Sequence, residues 1–199
     1  IGADIPIGSP SGHMIIEMGG GTLEAAVLSL GGIVSSASVR VGGNKLDSSI
    51  QEYVRRRYNV AIGERTSEEI KIQIGSALYL NEKLTIDVTG RDMVSGLPKT
   101  ITVTSHDVTE AIQNCLEQMV ATIKEVLHNT PPELSADVME KGMVVSGGTS
   151  QLRNLAELFA EATGVPCMMA EDPALCVAKG TGVALENLES YKRSILASR

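Results

Sequence analysis

The sequence predicts an α/β fold in which helices flank one mixed sheet and a small α+β block is inserted. Residues 1–43 hold short apolar runs separated by glycines, which is typical of antiparallel strands joined by tight turns. Residues 105–199 alternate helical periodicity with short apolar runs, as strands linked by helices do. Residues 44–104 combine two helical patterns with two short strands. We therefore expect residues 1–43 and 105–199 to form one core subdomain and residues 44–104 to form a smaller inserted subdomain.

Three antiparallel strands are predicted in the first segment. Their apolar stretches lie at 14–17, 24–30 and 33–39. Gly31-Gly32 separates the second strand from the third, and a glycine pair between two apolar runs is a strong hairpin signal.

The inserted block is predicted to begin with two helices. An apolar stripe that begins at Leu46 predicts a helix ending near Tyr58. Thr66 and Glu69 have the spacing of a capping box, so the second helix is predicted to start at Thr66. The elements that follow are two short strands around 84–88 and 100–103, joined by a polar loop at 90–99.

Helices and strands alternate in the last segment. Ser105 is the predicted N-cap of the longest helix, which reaches about His128 and is stopped by Pro131-Pro132. The later elements are a strand at 142–146, a helix through 152–162, a strand at 165–169, a last helix from the cap Asp172-Pro173 to about Leu188, and a polar tail at 189–199.

Composition and charge argue against several functional classes. The chain has 199 residues, a formal net charge of −7 and 3% aromatic residues, so we expect no nucleic-acid partner. The three cysteines are widely spaced, which is typical of a reduced cytosolic protein, and the histidines show no metal-ligand spacing. Because the chain begins with Ile1 rather than Met, we expect it to be a fragment or an expressed domain.

The run Glu17-Met18-Gly19-Gly20-Gly21-Thr22 is the most informative motif. Glycines at a turn let backbone N–H groups approach a phosphate without interference from a Cβ atom. The preceding carboxylate can hold a hydrated Mg²⁺, and the threonine hydroxyl can hold a water. A plain hairpin turn is the alternative interpretation of the same residues.

Two further segments are candidates for the same site. Ser146-Gly147-Gly148-Thr149-Ser150 follows an apolar strand and opens a helical pattern, where ligands gather in α/β sheets. A tight turn capped by Thr149 or Ser150 is the alternative. Glu68-Glu69-Ile70-Lys71 lies in a predicted first helical turn, where acidic residues ordinarily serve the helix dipole and the capping box.

Together these segments resemble the bacterial actin-like MreB/Mbl family. Residues 17–22 stand where the family has Asp-x-Gly-Gly-Gly-Thr, and residues 146–150 stand at its glycine-rich adenosine motif. Residues 63–71 resemble its adenine-contacting helix, and residues 91–98 and 131–134 also resemble family segments. The resemblance covers nearly the whole chain and matches the C-terminal half of the family protein.

The resemblance implies a ribonuclease-H-like half of an actin-like ATPase, with ATP and Mg²⁺ as cofactors. Glu17 would hold the metal through water, and Thr22 would orient the attacking water. The implied nucleotide contacts are Gly19, Gly20, Gly21 and Thr22 at the phosphates, Glu68, Glu69, Ile70 and Lys71 on the helix, and Gly147, Gly148, Thr149 and Ser150 at the nucleoside.

The family's partners and location are implied in the same way. Its members assemble with themselves into filaments in the cytoplasm, at the inner face of the cell membrane, and guide cell-wall synthesis and rod shape. The resemblance places the membrane-attachment regions, the first phosphate motif and the catalytic glutamate in an N-terminal half that would be this chain's partner. We therefore expect the chain alone to be inactive as an ATPase.

Two residues depart from the family pattern. Glu17 replaces an aspartate, and Thr149 stands where the family usually has a third glycine. An added methylene moves a carboxylate by on the order of 1 Å, a displacement that can cost about a hundredfold in rate. The alternatives are a sugar kinase or DnaK-type ATPase of the same superfamily, or an actin-like scaffold that does not hydrolyse ATP.

Overall fold

A computed structural model of the chain describes residues 1–188. The polar tail predicted at 189–199 lies outside the described residues. The strands are β1 (His13–Met18), β2 (Leu23–Ser29), β3 (Gly32–Val39), β4 (Val60–Ala61), β5 (Thr85–Asp92), β6 (Pro98–Thr104), β7 (Met143–Ser146) and β8 (Cys167–Met169). The α-helices are α1 (Gly43–Tyr58), α2 (Glu64–Ile74), α3 (Ser105–His128), α4 (Pro132–Lys141), α5 (Leu155–Thr163) and α6 (Cys176–Glu186), with short 3-10 turns at Gly148–Gln151 and Pro173–Leu175.

The predicted mixed sheet is confirmed. Its strand order is β3-β2-β1-β7-β8, with antiparallel pairing from β3 to β1 and parallel pairing from β1 to β8. A second sheet has the order β4-β5-β6 and is antiparallel. Within residues 1–188, no helix combines the length and the hydrophobicity needed to cross a membrane.

The core lies between the five-stranded sheet and α3. Alternate residues of β1 point into it, and Met14, Ile16 and Met18 are almost completely buried. From the helix side, Ile112 and Met119 are fully buried, because the apolar stripe of α3 recurs at helical spacing. Each such side chain contributes roughly 1.5–3 kcal/mol relative to an exposed one.

Three sequence predictions about helix starts are wrong. The helix predicted to start at Thr66 begins at Glu64, because nothing in that stretch breaks a helix, and its N-cap Gly63 offers no side chain to cap it. Thr104, not Ser105, caps α3, since its hydroxyl accepts from the backbone N–H of Asp107. Asp172 has a positive φ of 46° and makes no capping bond, so a 3-10 turn precedes α6.

Three elements differ in extent or were missed. Half of the loop predicted at 90–99 is strand, because β5 extends to Asp92 and β6 begins at Pro98. The short strand β4 was not predicted. Helix α4 was missed because Pro131-Pro132 was interpreted as a stop, whereas Pro132 occupies the first helical position, where proline is favoured.

The carboxylate of Asp107 joins α1 to the start of α3. It accepts hydrogen bonds from the backbone N–H of Thr104 at 2.9 Å and from the hydroxyls of Thr104 at 2.6 Å, Tyr58 at 2.8 Å and Tyr53 at 3.3 Å. Burial alone would raise the pKa of Asp107, but the bonds from Thr104 and the two tyrosines outweigh it and lower the pKa.

An ion pair joins α1 to α2. Lys71 Nζ lies 2.9 Å from the Asp47 carboxylate, and the two side chains are only 14% and 13% exposed. Burial raises the pKa of Asp47 even though the Lys71 ammonium opposes that rise. The pair therefore holds a partly desolvated carboxylate that has its neutralising charge on the neighbouring helix.

We expect Asp107→Asn to lower the free energy of unfolding by about 1–2 kcal/mol at pH 7, because the charged member of the capping box is replaced by an amide that accepts fewer of these hydrogen bonds. The folded-state pKa is depressed, so this stability is present above the ordinary value of 3.8 and is lost as pH falls through the folded pKa. Urea unfolding across pH 7 to 3 should show the difference between the two proteins shrinking below about pH 4. A constant difference, or a similar loss in the exposed control Asp87→Asn, would contradict this role.

We expect Lys71→Met to destabilise the protein by about 3 kcal/mol, because Asp47 would be left without its counter-charge. The matched control on the same helix is Arg65→Met, which removes an exposed pair with Glu69 whose side chains are 92% and 51% exposed. That control should change stability by less than about 0.5 kcal/mol. Equal losses of unfolding free energy for the two substitutions would show that the buried pair contributes no more to stability than the exposed pair.

Candidate functional site

The first glycine turn, residues 19–22, links β1 to β2 and is fastened by α1. Gly19 N–H donates to the Thr22 carbonyl at 3.0 Å, which closes the turn. At the start of α1, Gly43 N–H donates to the Gly19 carbonyl at 3.1 Å and Asn44 N–H donates to the Gly20 carbonyl at 2.9 Å. The carbonyl groups of Gly19 and Gly20 therefore point toward α1.

The hydrogen bonds from α1 leave the backbone N–H groups of Gly20 and Gly21 without partners within residues 1–188. No peptide bond in the described chain is cis, so the N–H groups of Gly20 and Gly21 point away from the carbonyls that α1 holds. Neither N–H donates to another group within residues 1–188. Two successive backbone N–H groups on exposed glycines, without partners among residues 1–188, are donors available to an anion.

The second glycine turn, residues 147–150, follows β7 and touches the first turn. Gly147 has φ +87°, and a Cβ atom there would overlap the Met18 carbonyl, so only glycine fits. Ser150 is buried and its hydroxyl donates to the Gly147 carbonyl at 2.7 Å. The Thr149 hydroxyl donates to the Gly19 carbonyl at 2.8 Å. Neither hydroxyl caps a helix as the alternative interpretation proposed.

A cleft of about 520 Å³ opens between the two glycine turns, α1 and α2. This volume is within the range of small-molecule sites. The structure brings five of the residues named from the sequence to its walls: Gly20, Glu68, Lys71, Gly148 and Thr149.

The other residues named from the sequence lie elsewhere. Glu69 pairs with Arg65 on the surface of α2, and Ile70 is fully buried in the core. Gly147 and Ser150 belong to the second turn but do not line the cleft. Gly19, Gly21 and Thr22 belong to the first turn but do not line this cleft.

Two cations, Lys71 and Arg153, line the cleft, and Lys71 is the one with a carboxylate partner on the neighbouring helix. Besides its pair with Asp47, its ammonium donates to the Gly43 carbonyl at 3.4 Å, which is a long bond. Because Asp47 supplies the counter-charge, Lys71 presents hydrogen-bond donors to the cleft more than a net positive charge.

Glu17 lies outside this cleft, in a second groove of about 480 Å³ formed with residues 1–3 and α6. Burial, followed by the cross-strand neighbour Glu24, raises the pKa of Glu17. Its carboxylate is close to both turns: a Cβ on Gly19 would lie 3.8 Å from either oxygen, and one on Gly147 would lie 2.7 Å from Oε1. It could hold a cation beside the first turn.

Sequence reasoning missed the contribution of α1. A Cβ on Gly42 would lie 2.5 Å from the Gly19 carbonyl oxygen, so the approach of α1 to the turn requires glycine there. Gly43 and Asn44 also line the cleft. The signal was present in the sequence, since a Gly-Gly pair directly precedes the helical stripe that starts at Leu46.

Comparison with known proteins gives a consistent result. The MreB/Mbl protein family model matches residues 1–193. The chain is 45% identical to the cell shape-determining protein Mbl of Bacillus subtilis (strain 168), over 99% of the chain and 59% of that protein. It is 46% identical to the cell shape-determining protein MreB of Escherichia coli (strain K12), over 96% of the chain and 55% of that protein. The chain thus spans a little over half the length of these relatives.

Solved structures show the same fold. MreB5 of Spiroplasma citri bound to ADP has a TM-score of 0.91 and 38% identity, covering 96% of this chain and 58% of that one. Its complex with AMPPNP has a TM-score of 0.90, 38% identity and coverage of 97% and 58%. A double helical filament of MamK, at 21% identity, has a TM-score of 0.70 with coverage of 84% and 52%, and shows the fold alone. The sugar-kinase, DnaK-type and scaffold alternatives are not favoured by these matches, and the chain belongs to the MreB/Mbl family of actin-like cell shape-determining proteins.

Proposed function

We propose that the chain is the C-terminal, nucleotide-binding half of a filament-forming cell-shape protein. The observation that carries the proposal is that the N–H groups of Gly20 and Gly21, beside a cleft of about 520 Å³, have no hydrogen-bond partner within residues 1–188. A turn of this kind binds phosphate oxygens. MreB5 of Spiroplasma citri was solved with ADP and with AMPPNP, which supports an adenine nucleotide as the ligand.

The proposed binding mode follows the walls of the cleft. The phosphates would accept hydrogen bonds from the first glycine turn, and the nucleoside would lie toward Glu68, Lys71 and the second turn, beside Gly148. Glu68 is exposed and would accept from ribose hydroxyls, while Lys71 would donate. Glu69 and Ile70 would act only through the position of α2, because their side chains face away from the cleft.

The donor set also fits a hydrated Mg²⁺. Glu17 would hold the ion through water, which suits a cation that keeps several water ligands. A bound Mg²⁺ supplies charge neutralisation at the phosphates. Thr22 would hold a water by its hydroxyl beside the same turn. These assignments concern binding and positioning by this chain.

We also propose that the two sheets mark two subdomains. The five-stranded sheet belongs to residues 1–43 and 105–199, and the three-stranded sheet belongs to residues 44–104. The cleft would then lie where the inserted subdomain meets the core subdomain, since α2 supplies one wall and the glycine turns supply the other.

We expect calorimetry to show ATP–Mg²⁺ binding to the chain and a loss of at least about tenfold in affinity for Gly20→Val. A Cβ there would lie 3.1 Å from Asn44 Oδ1, and the valine would shield the free N–H groups. Gly8→Val is the matched control, because Gly8 is exposed and a Cβ there has open space around it.

Two further titrations, with Mg²⁺ and with EDTA, separate the contribution of Glu17 from that of the first glycine turn. With Mg²⁺ present, Glu17→Gln should bind ATP more weakly than the wild type, whereas with excess EDTA the two should bind equally. If the wild type binds no nucleotide, or if Gly20→Val binds as well as Gly8→Val, the proposed site at the first glycine turn is wrong.

We expect the whole protein to sediment as filaments with ATP–Mg²⁺ and to remain in the supernatant when it carries Gly20→Val. The reason is that assembly in this proposal depends on the occupied cleft. Cell-wall synthesis proteins and the inner face of the cell membrane are the proposed partners of such filaments in the cytoplasm. Transfer of phosphate to a sugar, or turnover stimulated by peptides without sedimentation, would instead support the phosphotransferase or chaperone alternative.

A further inference from the structure

We propose that Thr149 is a positioning residue that presets the first glycine turn for phosphate and so sets the preference for phosphorylated nucleotides over nucleosides. The inference rests on the proposed function and concerns how this site discriminates among its ligands. Thr149 acts through Gly19 and needs no contact of its own with the phosphates.

The hydroxyl of Thr149 completes the hydrogen bonding of one carbonyl. The side chain is 9% exposed, and its Oγ1 donates to the Gly19 oxygen at 2.8 Å across a separation of 130 residues. The same oxygen accepts from Gly43 N–H at 3.1 Å. A carbonyl oxygen has two lone pairs, so these two donors use its full capacity.

Fixing that carbonyl fixes the donor on the other side of the same peptide. The Gly19–Gly20 peptide is planar, so its N–H, which belongs to Gly20, is held pointing away from Thr149 and α1. Glycines on both sides of a peptide permit wide rotation, and the two hydrogen bonds to the Gly19 carbonyl restrict it here. The hydroxyl therefore removes a conformational cost that phosphate binding would otherwise carry.

The surroundings of Thr149 match this role closely. A Cβ on Gly43 would lie 3.0 Å from Thr149 Oγ1, so the glycine leaves room for the hydroxyl between α1 and the turn. Thr149 and Gly20 line the cleft together, and Asn44 N–H holds the next carbonyl of the turn at 2.9 Å. The Gly19–Gly20 peptide is thus held by the backbone N–H of Gly43 and by the side chain of Thr149.

The test compares Thr149→Val, which keeps the shape and loses the hydroxyl, with Thr149→Ser, which keeps the hydroxyl. The matched control is Thr122→Val, because Thr122 is 7% exposed and its hydroxyl also donates to one carbonyl, that of Gln118 at 3.0 Å, away from the cleft. ADP and adenosine are titrated calorimetrically into each protein, and amide resonances of Gly20 and Gly21 are recorded by NMR without ligand.

Thr149→Val should bind ADP about tenfold more weakly and adenosine within about twofold of the wild type. Thr149→Ser should restore the ADP affinity, and Thr122→Val should leave both affinities unchanged. The Gly20 amide resonance should shift or broaden in Thr149→Val alone.

Two results would overturn the positioning role while leaving the proposed function intact. One is an equal loss of ADP and adenosine affinity in Thr149→Val, which indicates general damage to the cleft. The other is an unchanged ADP affinity in that variant, whatever the amide resonances show. A wild type that binds neither ligand would overturn the proposed function, and the positioning role with it.

Discussion

The Gly19 carbonyl is the point at which the parts of this site are joined. It belongs to the turn after β1, accepts from the first residue of α1, and accepts from the turn after β7. Each of these segments belongs to a different part of the chain, and each has its other residues committed to a helix or sheet. A single oxygen that accepts from two donors therefore links three elements, of which β1 and β7 are also paired in the sheet, and the cleft lies beside this junction.

Helix α1 connects the first glycine turn to the rest of the inserted segment. Its first turn is bonded to the glycine turn, its second turn carries Asp47 against Lys71 of α2, and its last turns place Tyr53 and Tyr58 on Asp107 of α3. The cleft wall formed by α2 is thus held by a partly buried ion pair. The C-terminal end of α1 is held by the carboxylate of Asp107. Burial works against the charge at both Asp47 and Asp107. At Asp107 the hydrogen bonds outweigh burial and lower the pKa, whereas at Asp47 burial outweighs the Lys71 ammonium and the pKa is raised.

The sequence was sufficient to predict a helix or strand where one local pattern of residues determined it. The first three strands follow from apolar runs and glycine pairs, and α3 follows from a long apolar stripe. Helix α4 could not be predicted in this way, because Val138 is its only fully buried residue and a single position gives no periodicity. In the site, both glycine turns were visible, whereas the bond from Thr149 to Gly19 was not, since it joins residues 130 positions apart. Ile70 was assigned to the ligand by its motif, and its side chain faces the core because the apolar face of α2 is buried.

The position of Glu17 shows why the two glycine turns must touch. Its carboxylate lies against Gly19 and Gly147, and any side chain at Gly147 would displace either this carboxylate or the Met18 carbonyl. The absence of a Cβ there brings the turn after β7 to the turn after β1, which is the same contact that lets Thr149 reach Gly19. Burial and the nearby Glu24 raise the pKa of Glu17, so its ionised form is favoured less than that of an exposed glutamate. A cation beside the first turn would relieve that cost. Gly147, which lets the two turns touch, also sets the space around this carboxylate.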